Sequence, residues 1–256
     1  MSNVIIFTAI IGLLLLAVFI ILNNQTNTIA NVTGLTKSTN KQPTYIITGL
    51  SNSGKTLLYN KIVGNDISSS LGTVTSQEPN FTTELALPST APTSTKFKLI
   101  EFPGHQKLQN LTINEIKNSS KVHGLIYLID SSIDPKKINE NAKFLYDILS
   151  ITERRPGGID ILIGCNKSDL FSARQPLKIR ELLEKEIDSL RKLNVSNISK
   201  IDNNDMEEEF NDLGQSIEME FKFEKLEGNF DVINGSVLKN QIDKWECWID
   251  ERAVNF

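Results

Sequence analysis

Residues 49–56 carry the pattern G-x-x-x-x-G-K-T, whose residue types are suited to holding phosphate. An apolar, β-branched run precedes the pattern, and residues 57–63 follow it as a predicted helix. A strand that turns through glycines into a helix start directs backbone N–H groups and the positive end of the helix dipole at one point. Lys55 is predicted to reach the β- and γ-phosphates, and the Thr56 hydroxyl to hold Mg²⁺. The full set of predicted phosphate contacts is Gly49, Ser51, Asn52, Ser53, Gly54, Lys55, Thr56 and Leu57.

A second motif, N-K-x-D at residues 166–169, indicates that the nucleotide base is guanine. The motif directly follows a continuous apolar run, and ligands of open α/β sheets bind at such strand ends. The Asp169 carboxylate can accept both N–H groups on the Watson–Crick edge of guanine, whereas adenine would leave this carboxylate unpaired. Lys167 is expected to lie over the base plane, and Asn166 to tie this loop to the phosphate loop.

Between the two motifs, Glu101-Phe102-Pro103-Gly104 occupies the place of the D-x-x-G motif. The Gly104 N–H is predicted to contact the γ-phosphate. Glu101 replaces an aspartate and is predicted to reach a water on Mg²⁺, although its side chain is one methylene longer. His105 stands where GTP-hydrolysing proteins carry a water-positioning glutamine, so it is a candidate catalytic residue that orients water poorly.

Two further stretches are predicted to complete the site. The first switch is expected at residues 71–76, where Thr75 is predicted to bind Mg²⁺ and Thr73 is the alternative. After the last predicted strand, the backbone N–H groups of Gly235 and Ser236 are expected to meet guanine O6.

Strands and helices alternate from Thr44 onward, which is typical of an α/β fold. We predict a doubly wound, mostly parallel six-stranded sheet with helices on both faces, as in P-loop GTPases, preceded by one N-terminal transmembrane helix. The predicted strands cover residues 43–48, 81–87, 96–102, 122–130, 159–166 and 230–234. The predicted helices cover residues 57–63, 107–119, 135–151, 176–193 and 237–252.

The N-terminal run Val4–Leu22 is uncharged and interrupted only by Thr8 and Gly12. At ~1.5 Å per residue such a helix just spans a bilayer core of ~30 Å. A cleaved signal peptide is the alternative, but the run is long for one and no basic residue precedes it. We therefore predict an anchor, followed by a flexible tether at residues 23–42 and a GTP-binding domain at residues 43–256.

Residues 202–227 contain ten acidic residues and two lysines, which predicts a solvated insertion loop. Removal of this insertion is expected to leave nucleotide binding intact, with a short strand possible at residues 221–223. The chain carries a formal charge of −4, which gives no sign of a nucleic-acid partner. The two cysteines, Cys165 and Cys247, are predicted to be reduced core residues.

The chain resembles the β subunits of the signal recognition particle receptor in five features taken together. These are the N-terminal anchor, the phosphate loop, the Thr-Ser switch at residues 75–76, the P-G-H sequence at residues 103–105 and the C-N-K-x-D sequence at residues 165–169. The resemblance covers about residues 4–252, apart from the acidic insertion. It departs at Glu101 and at Gly235–Val237, where relatives carry Asp and Ser-Ala-Lys. The broader relatives are the Arf and Sar GTPases.

This resemblance implies an endoplasmic reticulum membrane protein that crosses the membrane once, with its GTP-binding domain in the cytosol. It implies GTP and Mg²⁺ as cofactors and slow intrinsic hydrolysis. The GTP-ordered switch face is expected to dock the N-terminal region of the receptor α subunit for cotranslational protein targeting. The alternative is an Arf- or Sar-like trafficking switch with full GTP turnover.

Overall fold

The computed structural model describes residues 42–64, 76–134, 137–198, 213 and 219–254, all within the unit formed by residues 41–256. The strands are β1 (Thr44–Thr48), β2 (Asn80–Leu85), β3 (Phe97–Glu101), β4 (Val122–Asp130), β5 (Ile161–Asn166) and β6 (Phe230–Asn234). The α-helices are α1 (Lys55–Val63), α2 (Gln109–Asn118), α3 (Ile138–Thr152), α4 (Pro176–Ile198) and α5 (Asp243–Val254). Short 3-10 helices cover Pro88–Thr93, Gln106–Leu108 and Phe223–Lys225.

The strands form one six-stranded sheet in the order β2-β3-β1-β4-β5-β6. Only β2 runs antiparallel to its neighbour, and the other pairs are parallel. The predicted sheet, including the hairpin of β2 and β3, is therefore confirmed. The chain builds β2 and β3 on one side of β1 and β4 to β6 on the other, so the strand order reverses at β1. Open α/β sheets bind their ligands at the carboxyl ends of the strands beside such a point.

Helices cover both faces of the sheet, which is why its strands are almost continuously apolar. Successive residues of a strand point to opposite faces, and in β4 the side chains of Leu125 and Tyr127 enter one core while those of Ile126 and Leu128 enter the other. Helices α2, α3 and α4 pack in the first core, and α1 and α5 pack in the second. Packing of the two cores fixes the strand ends, and the strand ends in turn fix the positions of the loops between strands and helices.

The last helix begins later than the sequence pattern predicts, at Asp243 instead of Val237. Residues Ser236 and Gln241 exchange two backbone hydrogen bonds of 3.1 and 2.8 Å, which closes a tight loop where the helix was expected. Leu238, predicted to face the core, lies on this loop with 55% of its surface exposed. Ile242 and Trp245 are buried as predicted.

The acidic insertion is not solvated throughout, because Leu213, Phe221 and Phe223 are buried in the first core. Residues 221–223 do not form the expected short strand, since a 3-10 helix begins at Phe223. Carboxylates of α4 hold this part of the chain: Asp188 accepts the Phe221 N–H at 3.0 Å, and the buried Glu184 accepts the Phe223 N–H at 3.2 Å. The prediction for residues 202–227 was based on their charge alone and did not consider the apolar side chains that enter the core.

The hairpin of β2 and β3 is held at the end remote from the carboxyl edge of β1. The Gln42 side-chain amide donates to the Thr83 carbonyl on β2 at 2.8 Å and, at 3.1 Å, to the carbonyl of Lys96, which directly precedes β3. The Ser89 N–H donates to the Asp250 carboxylate on α5 at 3.0 Å. The start of the domain and its last helix therefore both fix this hairpin.

The two cysteines differ in environment, because Cys165 is buried in β5 as predicted while Cys247 is exposed on α5. The predicted span Val4–Leu22, the tether and the switch threonines Thr73 and Thr75 lie outside the described residues. No helix in the described part of the chain is long and apolar enough to cross a bilayer.

We predict that Phe223→Ala lowers the free energy of unfolding by about 3–5 kcal/mol, the usual cost of truncating a buried phenylalanine. The Phe223 ring lies parallel to that of Phe230, with ring centroids 3.7 Å apart. Chemical denaturation of the purified protein measures the change. The control Leu177→Ala removes a side chain that is 68% exposed and should change stability by less than about 0.5 kcal/mol. Equal stability of all three proteins would show that the Phe223 side chain contributes nothing to the core, in line with the solvated insertion loop that the sequence suggested for residues 202–227.

Candidate functional site

The phosphate loop connects β1 to α1 with a backbone that few residues other than glycine can adopt. Gly49 has φ +135°, and a Cβ there would lie 2.2 Å from the Leu128 carbonyl oxygen. Gly54, with φ +96°, caps α1 without any side-chain hydrogen bond. The first helical bond runs from the Leu58 N–H to the Gly54 carbonyl, so the N–H groups before it lie at a helix start that favours anions.

Lys55 lies within this loop, with only 5% of its surface exposed. Its ammonium donates to the Leu50 carbonyl at 2.8 Å. Burial lowers the pKa of Lys55 to about 8, although the nearby Glu101 carboxylate acts in the opposite direction. A Cβ on Gly104 would lie 2.5 Å from both the Lys55 Nζ and the Ser51 nitrogen, so the predicted switch glycine contacts the loop. A buried ammonium of this kind gains most from an anion such as phosphate.

A second polar cluster lies where α1 meets the ends of β2 and β3. The Thr56 hydroxyl donates to Glu101 Oε1 at 3.1 Å, and the Asn80 amide donates to Glu101 Oε2 at 2.6 Å. Thr56 Oγ1 is also 3.2 Å from the Ser76 hydroxyl. Glu101 is 1% exposed, and burial raises its pKa against the opposing effects of Asn80, Thr56 and Lys55.

These groups fit a magnesium site, because Mg²⁺ prefers hydroxyl, carboxylate, water and phosphate oxygens and needs only one or two carboxylates. Thr56 and Glu101 are brought together as predicted. Asn80 was missed by the sequence reasoning, and Ser76 was included only as the last residue of the predicted first switch. Asn80 follows a proline and precedes a β-branched strand, so nothing in its local pattern marks it as part of a site.

Asn166 joins the two halves of the site. Its side-chain amide donates to the Ser53 carbonyl of the phosphate loop at 2.7 Å. Its side-chain oxygen accepts the Val237 N–H from the loop after β6 at 3.0 Å. Asn166 is 3% exposed, so both hydrogen bonds are sheltered from water. One buried side chain therefore fixes the carboxyl ends of β1, β5 and β6 relative to one another.

The remaining groups of the second motif face the same edge of the sheet. Asp169 Oδ1 accepts the Ser236 hydroxyl at 2.6 Å, which orients the carboxylate without neutralising it. Lys167 has φ +61° and pairs with Asp130 at the end of β4, with Nζ 2.5 Å from Oδ2. Burial alone would raise the pKa of Asp130, but hydrogen bonds from Lys167 and Ser132 hold it below its usual value. Sequence reasoning did not include Asp130, although its place at the end of β4 was visible.

The backbone N–H groups of Gly235 and Ser236, in the loop after β6, do not point to a ligand as the sequence predicted. The Gly235 N–H donates to the Cys165 carbonyl at 3.0 Å, and the Ser236 N–H donates to the Gln241 carbonyl at 3.1 Å. Both N–H groups expected to meet guanine O6 are thus engaged within the protein. Ser236 contributes its hydroxyl to Asp169 instead.

His105 is exposed at the start of the 3-10 helix before α2. Its Nδ1 accepts the Lys107 N–H at 3.2 Å, so the ring caps its own turn. This arrangement leaves Nε2 as the ring nitrogen that can face a water.

Comparisons of the sequence place the chain near one group of proteins. The sequence model of the family described as signal recognition particle receptor beta subunit matches residues 40–230. The signal recognition particle receptor subunit beta of Saccharomyces cerevisiae is 41% identical over 222 residues, which covers 84% of this chain and 86% of that protein. The subunit of the same name from Mus musculus is 26% identical over 59% of this chain, and the match spans 53% of the mouse protein.

Solved structures agree with the fold. The mammalian signal recognition particle receptor matches 82% of this chain and 99% of its own chain, with TM-score 0.65 and 23% identity. A Chaetomium thermophilum structure described as an SRb-GTP/SRX complex matches 83% of this chain and 99% of its own, with TM-score 0.62 and 25% identity. The structure described as SRb-GDP-Mg from the same organism has TM-score 0.59 and 25% identity over 82% of this chain and 97% of its own.

We predict that Asn166→Ala lowers the free energy of unfolding by about 2 kcal/mol, because the Ser53 carbonyl and the Val237 N–H would be left buried without partners. Amide hydrogen exchange should also accelerate in residues 50–54 and 236–238, the two segments that Asn166 joins. Asn110→Ala is the matched control, since Asn110 is exposed on α2. Unchanged exchange in both segments would show that Asn166 does not hold the two loops together.

Proposed function

Because the chain belongs to the family of signal recognition particle receptor β subunits, we propose that it is the membrane-anchored, GTP-binding subunit of such a receptor. Its GTP-ordered switch face docks the N-terminal region of the receptor α subunit and holds it at the endoplasmic reticulum membrane for cotranslational protein targeting. The Chaetomium structure supports a partner for the GTP form, since its description joins SRb-GTP with SRX.

The observation that carries GTP binding is the 2.7 Å hydrogen bond from Asn166 to the Ser53 carbonyl. It joins a loop suited to phosphate to a loop whose carboxylate is suited to guanine. In this proposal, Lys55 pairs with the β- and γ-phosphates, and Asp169, held by Ser236, accepts the two N–H groups of the base. Lys167, held by Asp130, lies over the base plane.

Thr56 is the residue proposed to hold Mg²⁺ directly, with Thr75 or Thr73 completing its shell and Glu101 acting through a water. When bound, Mg²⁺ neutralises charge on the phosphates. Gly104 contacts the γ-phosphate through its N–H. His105 is the proposed water-orienting residue, and intrinsic hydrolysis is slow because a histidine in place of glutamine orients water poorly.

We place the GTP-binding domain in the cytosol, because GTP is a cytosolic ligand, and assign Val4–Leu22 as the anchor. A permanently inserted anchor favours a docking subunit over a protein that cycles on and off membranes. Residues 23–42 link the anchor to the domain.

Asp169→Asn should weaken GTP binding by about 100-fold, because a charge-assisted pair of hydrogen bonds is lost, and should improve binding of xanthosine triphosphate. Titration calorimetry with both nucleotides measures this change in base preference. Asp243→Asn, which changes an exposed carboxylate on α5, should leave both affinities unchanged. Equal GTP affinity in the Asp169→Asn variant and the wild type would remove Asp169 from base recognition.

The gated docking proposal is tested with the full chain in detergent, loaded with a non-hydrolysable GTP analogue or with GDP. The α-subunit N-terminal region should bind the GTP form at least about tenfold more tightly, since only a difference in affinity couples nucleotide to docking. Asp169→Asn loaded with the corresponding xanthine nucleotide should dock like the wild type with GTP. Equal affinities for the two loaded forms would contradict gating, and fast unaided GTP turnover would favour the trafficking-switch alternative.

A further inference from the structure

Glu101 stands where relatives in this superfamily are expected to carry the shorter aspartate, and the structure contains a specific partner for it. Asn80 and Glu101 lie directly opposite each other in the antiparallel pair of β2 and β3. The Asn80 amide donates to Glu101 Oε2 at 2.6 Å, while the Thr56 hydroxyl donates to Oε1 at 3.1 Å. The two carboxylate oxygens are thus divided between two donors from different elements.

The extra methylene of glutamate gives the carboxylate more conformational freedom than that of aspartate, and the hydrogen bond from Asn80 restricts this freedom. A longer side chain has more rotamers, and fixing one of them loses conformational entropy. A carboxylate that is 1% exposed also needs hydrogen bonds in place of the water it has lost. By holding Oε2, Asn80 selects the rotamer in which Oε1 faces Thr56, the residue proposed to bind Mg²⁺.

We propose that Asn80 is a positioning residue of the Mg²⁺ site, which fixes Glu101 so that a glutamate performs the task of the shorter aspartate. The proposal rests on the proposed binding of GTP and Mg²⁺. Asn80 lies outside the phosphate loop and outside residues 166–169, the loop proposed to recognise guanine and called here the base-reading loop. It acts on the metal only through Glu101.

The same amide reaches the end of the first switch. Asn80 Nδ2 is 3.5 Å from Ser76 Oγ, and Ser76 Oγ is 3.2 Å from Thr56 Oγ1. Asn80, Ser76, Glu101 and Thr56 therefore form one connected polar cluster. Loss of Asn80 is expected to loosen Glu101 without breaking the backbone pairing of β2 and β3, which uses main-chain groups.

The test measures how Mg²⁺ slows the release of a fluorescent GDP from the full chain in detergent. Asn80→Ala should raise the Mg²⁺ concentration for half-maximal slowing by about tenfold, the low end of losses when a residue supporting a metal ligand is removed. Release in EDTA should be unchanged, because Asn80 does not touch the phosphate or base loops. Thr82→Ala is the matched control, since Thr82 is a half-buried residue two positions further along β2.

The decisive arm repeats Asn80→Ala in a Glu101→Asp background. The shorter carboxylate no longer meets the Asn80 amide, so removing Asn80 there should change the Mg²⁺ requirement little, and the two substitutions should be non-additive. If Asn80→Ala folds poorly, Asn80→Ser replaces it, because a serine hydroxyl falls short of Glu101.

The outcomes separate this proposal from the function on which it rests. An equal effect of Asn80→Ala in both backgrounds, or faster release in EDTA, would assign Asn80 a merely structural role and overturn the proposal. No effect of Asn80→Ala beside normal Mg²⁺-dependent retention in the wild type would also overturn it, and would leave GTP binding intact. Failure of the wild type to retain guanine nucleotide in Mg²⁺ would overturn the proposed function and this inference together.

Discussion

The site depends on one buried amide. Asn166 donates to the phosphate loop and accepts from the loop after β6, so it spans three strand ends that are far apart in the sequence. An amide suits this position because it carries a donor and an acceptor on one short, planar group. A Cβ on Gly54 would lie 2.3 Å from Asn166 Nδ2, so glycine is required where the two loops meet. The loop proposed to bind phosphate and the loop proposed to bind the base are therefore mechanically one unit.

Sequence patterns predicted the sheet and the positions of residues 49–56 and 166–169 at its strand ends, because these features are local. Strands buried on both faces are recognisable as apolar runs, and the phosphate and base loops have fixed spacings. The failures involve contacts between distant segments. Leu238 continues a helical pattern, yet the bond pair between Ser236 and Gln241 closes a loop there. Phe221 and Phe223 lie in an acidic stretch, yet α4 supplies the carboxylates that hold them over the core.

At the proposed Mg²⁺ site, too, a contact between distant residues could not be predicted from the local sequence. Glu101 was recognised from its motif, but whether its longer side chain suits the site depends on a neighbour in another strand. Antiparallel pairing places Asn80 opposite it, and the register of that pair cannot be read from either strand alone. The buried carboxylate is sustained by two hydrogen-bond donors and by the nearby Lys55 ammonium, which together offset part of its lost hydration.

The position of β6 after the other five strands in the sequence also has a consequence for synthesis on the ribosome. Val237 and Ser236, the partners of Asn166 and Asp169, are made after every other described part of the site. While β6 remains in the exit tunnel, the emerging chain already has its phosphate loop, but the base-reading loop lacks both supports. A ligand stabilises only the state that binds it, so the nucleotide adds its stabilisation once the last strand has paired. Folding of the domain and its stabilisation by nucleotide are therefore coupled through β6, the last of the described strands to be synthesised.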